Sequence, residues 1–181
     1  VDKLVRAFPK DPLFCFEVTV TFLTNYFSEW LSIVPGPPPE VIARIDAIFS
    51  FANVELRDAL GTGFVGWPVY RSCFAEVLYS HAWFQLMDVL FAGSPQFLEF
   101  LVVAWLDINA NQLLIDHQMF HAAKRPVDVR KLIERAQVIA TKAPRSLLTL
   151  TPFRILSSPA YPHIDASTDA VVLRTLQSDH E

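Results

Sequence analysis

The stretch that decides the fold lies at residues 94–108 and reads SPQFLEFLVVAWLDI. Ser94 favours the N-cap of a helix, and Pro95 suits the first helical turn, where its missing N–H group has no partner to lose. Apolar side chains then recur every three or four residues along one face, at Phe97, Leu101, Ala104, Trp105 and Ile108. This spacing predicts a long helix whose pattern could continue to His121.

Outward from this helix, thirteen prolines divide the chain into helix-sized intervals. Asp11 with Pro12 predicts the start of a helix over 13–33, and Asp128 predicts the start of one over 129–142. Further helices are predicted at 40–50, 55–60, 69–78, 82–91 and 168–177, with extended chain over 143–164. No stretch alternates apolar and polar residues with a period of two, so the predicted fold class is all-α.

The composition of the 181 residues, 52% hydrophobic and 19% charged, restricts the class of protein. Such a chain is too apolar to be disordered, and its length suits one domain with a sizeable core. With 15 Lys and Arg against 19 Asp and Glu, the net charge of −4 argues against nucleic acid as a partner. The Val at position 1 suggests a piece of a longer protein.

Three features favour a cytoplasmic protein without a membrane span. A spanning helix needs about 20 mostly apolar residues, and the longest uncharged runs, at 18–28 and 59–70, are shorter. Residues 1–12 alternate charged and apolar side chains, unlike a signal peptide. Cys15 and Cys73 each stand alone in an apolar run, which predicts free buried thiols in a reducing compartment.

The run Gly61-Thr62-Gly63-Phe64-Val65-Gly66 matches the G-x-G-x-x-G pattern of dinucleotide sites. In those sites the glycines let the backbone approach a pyrophosphate between a strand and a helix, and Asp88 stands near the distance of a ribose ligand. Because helices and no parallel sheet are predicted, we favour a loop whose glycines end one helix before Pro68 begins the next. No cofactor is predicted.

Two partial motifs for metals occur. His117 and His121, spaced i, i+4, could hold zinc on one helical face, but Gln118 replaces the glutamate of metalloproteases and no third ligand is marked. A structural or partly exposed histidine pair is therefore favoured. Part of a calcium loop is present at Asp107, Asn109 and Asn111. The glycine and the closing glutamate of such a loop are missing, so no metal site is predicted.

A longer series of phrases is recognisable. Trp67-Pro68-Val69-Tyr70 leads through FAEVL at 74–78 to WFQLMDVLF at 83–91, then PQFL at 95–98. The order and spacing of these phrases resemble the C-terminal half of a TBC domain, the all-helical module of Rab GTPase-activating proteins. In that family a Trp-Asp pair begins the WD-V-L phrase. Here Asp88 keeps the acidic position and Met87 replaces the tryptophan.

The resemblance extends upstream and downstream of these phrases. Residues 14–18, FCFEV, resemble the helix after the family's glutamine motif, and residues 160–164, AYPHI, resemble a downstream segment. The likeness is greatest to the branch whose N-terminal part is WD repeats. It predicts a TBC-like domain, mainly the C-terminal subdomain, over 1–164 and a tail with a possible short helix over 165–181.

The resemblance implies a Rab-family GTPase as partner, which brings its own GTP and Mg²⁺, together with other proteins, and a place at centrosomes, centriolar satellites or cilia. Catalytic members supply an arginine from I-x-x-D-x-x-R and a glutamine from Y-x-Q. This chain has no Y-x-Q that could serve. Only Arg6, in Arg6-Ala7-Phe8-Pro9, matches the end of the arginine motif, and Lys3 stands where the acid belongs. No catalytic residue is predicted, with Arg6 the one candidate finger.

Three functions therefore stay open. The favoured one is a scaffold that binds Rab GTPases and lacks the fingers. The second is an active GTPase activator with fingers outside this chain, and the third is a helical protein-interaction module unrelated to GTPases.

Individual side chains carry further expectations. Trp67 is predicted as a core anchor and Asp88 as a helix-packing acid paired with a nearby donor. If the chain is the C-terminal portion of a TBC domain, part of its apolar surface faces the missing half. We expect that surface, exposed or filled by protein, at Phe14, Val18 and Phe22.

Overall fold

The structure is a computed structural model that describes residues 2–31, 33, 36–61, 63–115 and 127–148. Helices without strands make up the regular structure of these residues, which confirms the all-α prediction. Short 3₁₀ turns lie at Gly63–Gly66 and Arg145–Leu147. Among the described residues the helices are α1 (Asp2–Ala7), α2 (Pro12–Tyr26), α3 (Ser28–Leu31), α4 (Pro39–Ala52), α5 (Val54–Leu60), α6 (Trp67–Arg71), α7 (Ser80–Ala92), α8 (Phe97–Ile108), α9 (Ala110–Ile115) and α10 (Val129–Lys142).

The chain forms two compact units, Val1–Asn25 with Phe153–Glu181, and Tyr26–Pro152. In the first unit the structure describes α1 and all but the last residue of α2. Asp11 caps α2 as predicted, since its Oδ1 accepts a hydrogen bond from the backbone N of Phe14 at 2.9 Å. The rings of Phe8 and Phe14 meet edge to face at 4.9 Å, which holds the start of α2 against the end of α1.

The predicted helix over 13–33 is too long, because α2 ends at Tyr26 and α3 begins at Ser28. Side chains near the end of α2 bond back to carbonyls one turn earlier. Thr24 Oγ1 donates to Val20 O, and Asn25 Nδ2 donates to Thr21 O at 2.7 Å. Such bonds compete with the helical ladder and often bend it.

The apolar surface expected on α2 lies on a different face from the predicted one. Phe14 is 45% exposed as expected, but Val18 is half-buried and Phe22 is buried, so the prediction is wrong for Phe22. The helical repeat places Cys15 and Phe22 on one covered face seven residues apart. Leu13 and Phe16 then point away from it and are 67% and 64% exposed.

The core of the second unit is α8, the helix that the 94–108 stretch predicts. All nine residues from Leu98 to Leu106 are buried, and α8 packs against α4, α6, α9 and α10. Ser94 Oγ accepts a hydrogen bond from the backbone N of Gln96 and so orders the turn that leads into α8. The helix itself begins two residues later than predicted, at Phe97, with Gln96 rather than Ser94 at the N-cap. The helix does not continue to His121: it ends at Ile108, and Asn109 Nδ2 bonds back to Trp105 O at 2.7 Å.

The G-x-G-x-x-G run is a structural loop over its described residues, as favoured. Gly61 ends α5 with φ of 102°, a backbone conformation that side chains rarely adopt, and its N–H donates to Arg57 O. A Cβ on Gly66 would lie 2.5 Å from Val102 Cγ1 and 3.7 Å from Ile45 Cγ2. Gly66 therefore lets the Gly63–Gly66 turn pack closely against α4 and α8.

The predicted helix over 69–78 is wrong after Arg71, where α6 ends. Cys73 and Phe74 adopt left-handed backbone conformations, with φ of 45° and 63°, which no continuous right-handed helix contains. The turn buries Phe74 completely, and Trp83 Nε1 donates to Cys73 O at 2.8 Å. Burial and this hydrogen bond outweigh the local preference of the sequence for a helix.

The remaining predicted helices are confirmed to within a few residues. The intervals 40–50, 55–60 and 82–91 correspond to α4, α5 and α7, and Asp128 caps α10 by accepting from the backbone N of Arg130 and Lys131. Both cysteines are free and buried, as predicted. The extended chain predicted over 143–164 is described only to 148, and there it is interrupted by the 3₁₀ turn at Arg145–Leu147. The rest of it and the helix predicted at 168–177 lie outside the described residues.

Candidate functional site

Arg6, the candidate finger, lies in the last turn of α1 and is exposed. The first unit contains no glutamine among its described residues 2–25, so no glutamine of that segment accompanies Arg6. The role of Arg6 as a finger stays a prediction.

Trp67 is a core anchor, as predicted, and lies in an aromatic cluster formed by Phe27, Trp30, Trp67 and Tyr70. The Trp67 ring meets Trp30 edge to face at 5.7 Å and stacks on Tyr70 at 5.8 Å. Tyr70 Oη donates to Tyr26 O at 3.0 Å, and Tyr26 Oη donates to Leu90 O at 2.6 Å. These contacts join α6 to α7 through the end of α2, so Trp67 has a structural role.

A buried ion pair lies between α4 and α8. Arg44 Nε donates to Glu99 Oε1 at 2.8 Å, and Arg44 Nη2 reaches Glu29 at 3.2 Å. Burial raises the pKa of Glu99, while the charge and hydrogen bond of Arg44 oppose that rise. Burial lowers the pKa of Arg44, but the charges and hydrogen bonds of Glu99 and Glu29 outweigh it, so the net pKa is raised. This group joins α4 to α8 and to Glu29 in α3.

Asp107 belongs to a second structural network rather than to a calcium loop. Asn53 caps α5 by accepting from Leu56 N at 3.0 Å, and its Nδ2 donates to Asp107 Oδ1 at 2.8 Å. Asp107 Oδ2 accepts from Arg135 Nε at 2.7 Å. Both carboxylate oxygens therefore tie α8 to the start of α5 and to α10.

The residues that the structure describes contain no group of three His, Cys, Asp or Glu side chains that could hold a metal ion. His117 and His121 lie outside those residues. No helix within the described ranges is long and apolar enough to cross a membrane.

One candidate for a binding site is a groove of about 580 Å³ at the corner between α7 and α8, which we name the α7–α8 groove. Its walls come from the end of α7, the turn into α8, the start of α8 and the end of α10. The apolar wall residues are Val89, Ala92, Phe97, Phe100, Ala140 and Leu148. The polar side chains along the groove are Asp88, Ser94, Gln96 and Gln137.

Gln96 fixes one wall of the α7–α8 groove. The residue is 8% exposed, and its Nε2 donates to Leu147 O at 2.7 Å. This bond joins the turn before α8 to the 3₁₀ turn at Arg145–Leu147, which follows α10. The groove is therefore bounded by hydrogen-bonded backbone rather than by side chains alone.

Asp88 is exposed, which corrects the prediction of a packing acid with a nearby donor. The register of α7 turns Leu86, Met87 and Leu90 into the core and leaves Asp88 on the outer side. No hydrogen bond or ion pair joins Asp88 to the described part of the chain. Its carboxylate instead lines the α7–α8 groove.

Sequence reasoning did not identify this groove, because its walls are contributed by residues 88–100 and 137–148, which are far apart in the chain. The two stretches meet through the packing of α10 on α7 and α8 and through the Gln96–Leu147 hydrogen bond. The local signal was the short turn Gly93-Ser94-Pro95, which brings the ends of two apolar helices together.

Comparison with curated proteins finds relatives with one shared name, TBC1 domain family member 31. The Xenopus laevis protein is 26% identical over 171 residues, which cover 87% of this chain and 16% of the relative. The Bos taurus protein is 28% identical over 182 aligned residues, which cover 94% of this chain and 16% of the relative. The Homo sapiens protein is 26% identical over 171 residues, with coverage of 87% and 16%.

The chain thus spans about one sixth of the length of these relatives. No family model matches the chain, and no solved structure matches it.

Proposed function

The chain is a TBC-domain-related protein, and from this premise we propose that it binds a Rab-family small GTPase without supplying a catalytic finger. It would act as a scaffold in vesicle or ciliary trafficking, with residues 1–164 as the TBC-like portion and 165–181 as a tail.

The positions that carry the resemblance support a shared scaffold. Trp67 and Met87 are 6% and 4% exposed and belong to the core of the second unit. The phrases around them form α6, α7 and the start of α8. In this chain the positions that resemble TBC domains thus serve chiefly to pack helices, and packing alone does not accelerate GTP hydrolysis.

The absence of the Y-x-Q glutamine motif from the sequence carries the non-catalytic part of the proposal. Activation of GTP hydrolysis needs an arginine that neutralises charge on the phosphoryl group and a glutamine that orients the attacking water. The chain contains no Y-x-Q motif from which that glutamine could come. A finger arginine is worth about 10³–10⁵ in rate, so a chain without this machinery should leave the intrinsic hydrolysis rate almost unchanged.

A panel of purified Rab GTPases tests the proposal in two measurements. We expect the chain to bind at least one Rab in a pull-down loaded with GDP or with a non-hydrolysable GTP analogue. We also expect less than about a tenfold rise in single-turnover GTP hydrolysis, because a finger gives about 10³-fold or more. Arg6→Ala should change the hydrolysis rate no more than the exposed control Lys10→Ala.

Two results would overturn the proposal in different directions. A rate rise of about a thousandfold that Arg6→Ala abolishes would identify an active GTPase activator. Absence of binding to every Rab in both nucleotide states would leave a helical interaction module unrelated to GTPases.

We further propose a cytoplasmic location at centrosomes, centriolar satellites or cilia, which rests on the resemblance to the WD-repeat branch alone. Imaging of the fluorescently tagged chain in ciliated cells tests it, with a centriolar marker as reference. A uniform distribution that ignores the marker would refute this location.

A further inference from the structure

The α7–α8 groove combines an apolar wall with an exposed carboxylate, and we propose that it binds a lysine or arginine side chain carried by an apolar segment of a protein partner. This inference does not depend on the proposed binding of a GTPase.

The dimensions of the groove suit a few side chains rather than a folded domain. Its volume is about 580 Å³, within the range of about 300–1,000 Å³ that is usual for small-molecule and side-chain pockets. Six of its lining residues are apolar, and they come from three helices and the turn that follows α10. An apolar segment could bury two or three side chains there and gain the usual hydrophobic stabilisation.

Charge selects the class of ligand. Among the residues that the structure describes, Asp88 is the only charged one that lines the groove, and none of them forms an ion pair with it. No Lys or Arg of the described ranges lines the groove, so these residues attract a cation that enters it and repel a phosphate or carboxylate.

A long basic side chain satisfies both surfaces of the groove. The methylene stem of Lys or Arg packs on apolar residues while its charged end stays near water and a counter-ion. Along α7, Val89 and Ala92 follow Asp88 by one and four residues, so apolar wall lies directly beside the carboxylate. The Gln96–Leu147 hydrogen bond holds the opposite wall in place before binding, which lowers the ordering cost.

The probe for a first test is the synthetic peptide acetyl-Ser-Leu-Lys-Leu-Leu-Ser-amide, titrated into the complete ¹⁵N-labelled chain. We expect saturable shifts of amide signals centred on Ala92, Gly93 and Ala140. The matched peptide with Glu in place of Lys should bind at least several-fold more weakly, and the peptide with Ser in place of each Leu should not bind. Shifts centred elsewhere, such as on the exposed apolar residues Val54 and Ile115, would overturn the proposal, and so would equal binding of the Glu peptide.

A pair of variants tests how much the charge of Asp88 contributes to peptide binding. Asp88→Asn should weaken the Lys peptide about two- to fivefold at low salt, as expected for one partly exposed ion pair. Glu55→Gln, which removes an exposed acid from α5, is the matched control and should leave binding unchanged. Equal affinity of Asp88→Asn and the wild-type chain would contradict the proposal.

A second pair of variants tests the groove itself. Ala92→Trp places a large side chain in the groove and should abolish binding, whereas Ala43→Trp at an exposed position on α4 should not. Should Ala92→Trp lose its helical circular dichroism, Gln137→Trp fills the groove from the exposed side of α10 instead. Full binding by a folded groove-filling variant would refute the site.

Discussion

At the scale of single residues, the Arg44–Glu99 pair shows how a buried charge is compensated in this fold. Glu99 stands in the middle of an otherwise apolar, buried helix, with its side chain only 4% exposed. An isolated charge there would be very costly, so the carboxylate depends on the Arg44 guanidinium, which reaches it from α4. One oxygen, Oε2, has no hydrogen-bond partner among the described residues, so the compensation is incomplete. This agrees with the raised pKa of Glu99.

Replacing Arg44 should therefore cost more stability than replacing an exposed arginine. We expect Arg44→Met to lower the free energy of unfolding at pH 7 by about 3 kcal/mol, because it leaves a buried carboxylate unpaired. Urea denaturation measures the change, and Arg130→Met on the exposed side of α10 serves as control with an effect of under about 0.5 kcal/mol.

The double variant Arg44→Met/Glu99→Leu separates the charge from the packing. Buried pairs can be replaced by apolar residues at little cost, so the double variant should recover most of the lost stability. A double variant as unstable as the single would mean that Arg44 stabilises the fold through its aliphatic stem rather than through its charge.

At the scale of helices, local signals in the sequence predicted where most helices begin. Where a prediction was wrong, the cause was packing against residues far away in the chain. Asp11 and Asp128 cap the predicted helices because a cap needs only a side chain and the next turn. The helix over 69–78 fails because Phe74 is buried through a left-handed turn that the local sequence does not specify. The α7–α8 groove is missed for the same reason, since its walls meet only in the folded unit.

Gly66 lies where the Gly63–Gly66 turn packs so closely against α8 that a side chain larger than hydrogen does not fit. An alanine there would place its Cβ 2.5 Å from Val102 Cγ1, closer than atoms tolerate without displacement. We expect Gly66→Ala to lower the free energy of unfolding by about 1–3 kcal/mol through overpacking, as measured in urea. The control is Gly36→Ala, whose nearest neighbour would be a carbonyl oxygen at 3.9 Å.

Val102→Ala supplies the diagnostic rescue for that prediction. If the cost arises from the clash, the Gly66→Ala/Val102→Ala double variant should be more stable than the two single costs predict, with a coupling of about 1 kcal/mol. Strictly additive costs would show that Gly66 acts through backbone freedom and not through close approach.

At the scale of the molecule, the stretch at 94–108 forms the buried helix that its pattern predicts, because α8 is the helix around which the second unit packs. The described helices of the first unit, in contrast, leave several apolar side chains exposed. Its α1 has only six residues, with Val5 52% exposed, and the adjoining start of α2 exposes Leu13 and Phe16. The high hydrophobic fraction of the sequence therefore has two outcomes, a buried core at α8 and an exposed apolar face on α2.

This contrast predicts how protection against hydrogen exchange is distributed. Amides that are buried and bonded in a central helix exchange only when the whole unit opens, whereas short exposed helices open locally. We expect the amides at 101–106 in α8 to exchange at least about a hundredfold more slowly than those of α1, as measured by native-state exchange with mass spectrometry. The six-residue helix α9 is the control for length: its buried Leu113 packs in the second unit, so its protection should be intermediate. Equal protection of α1 and α8 would contradict this expected difference, because the exposed residues of α1 would then have to unfold only together with the core.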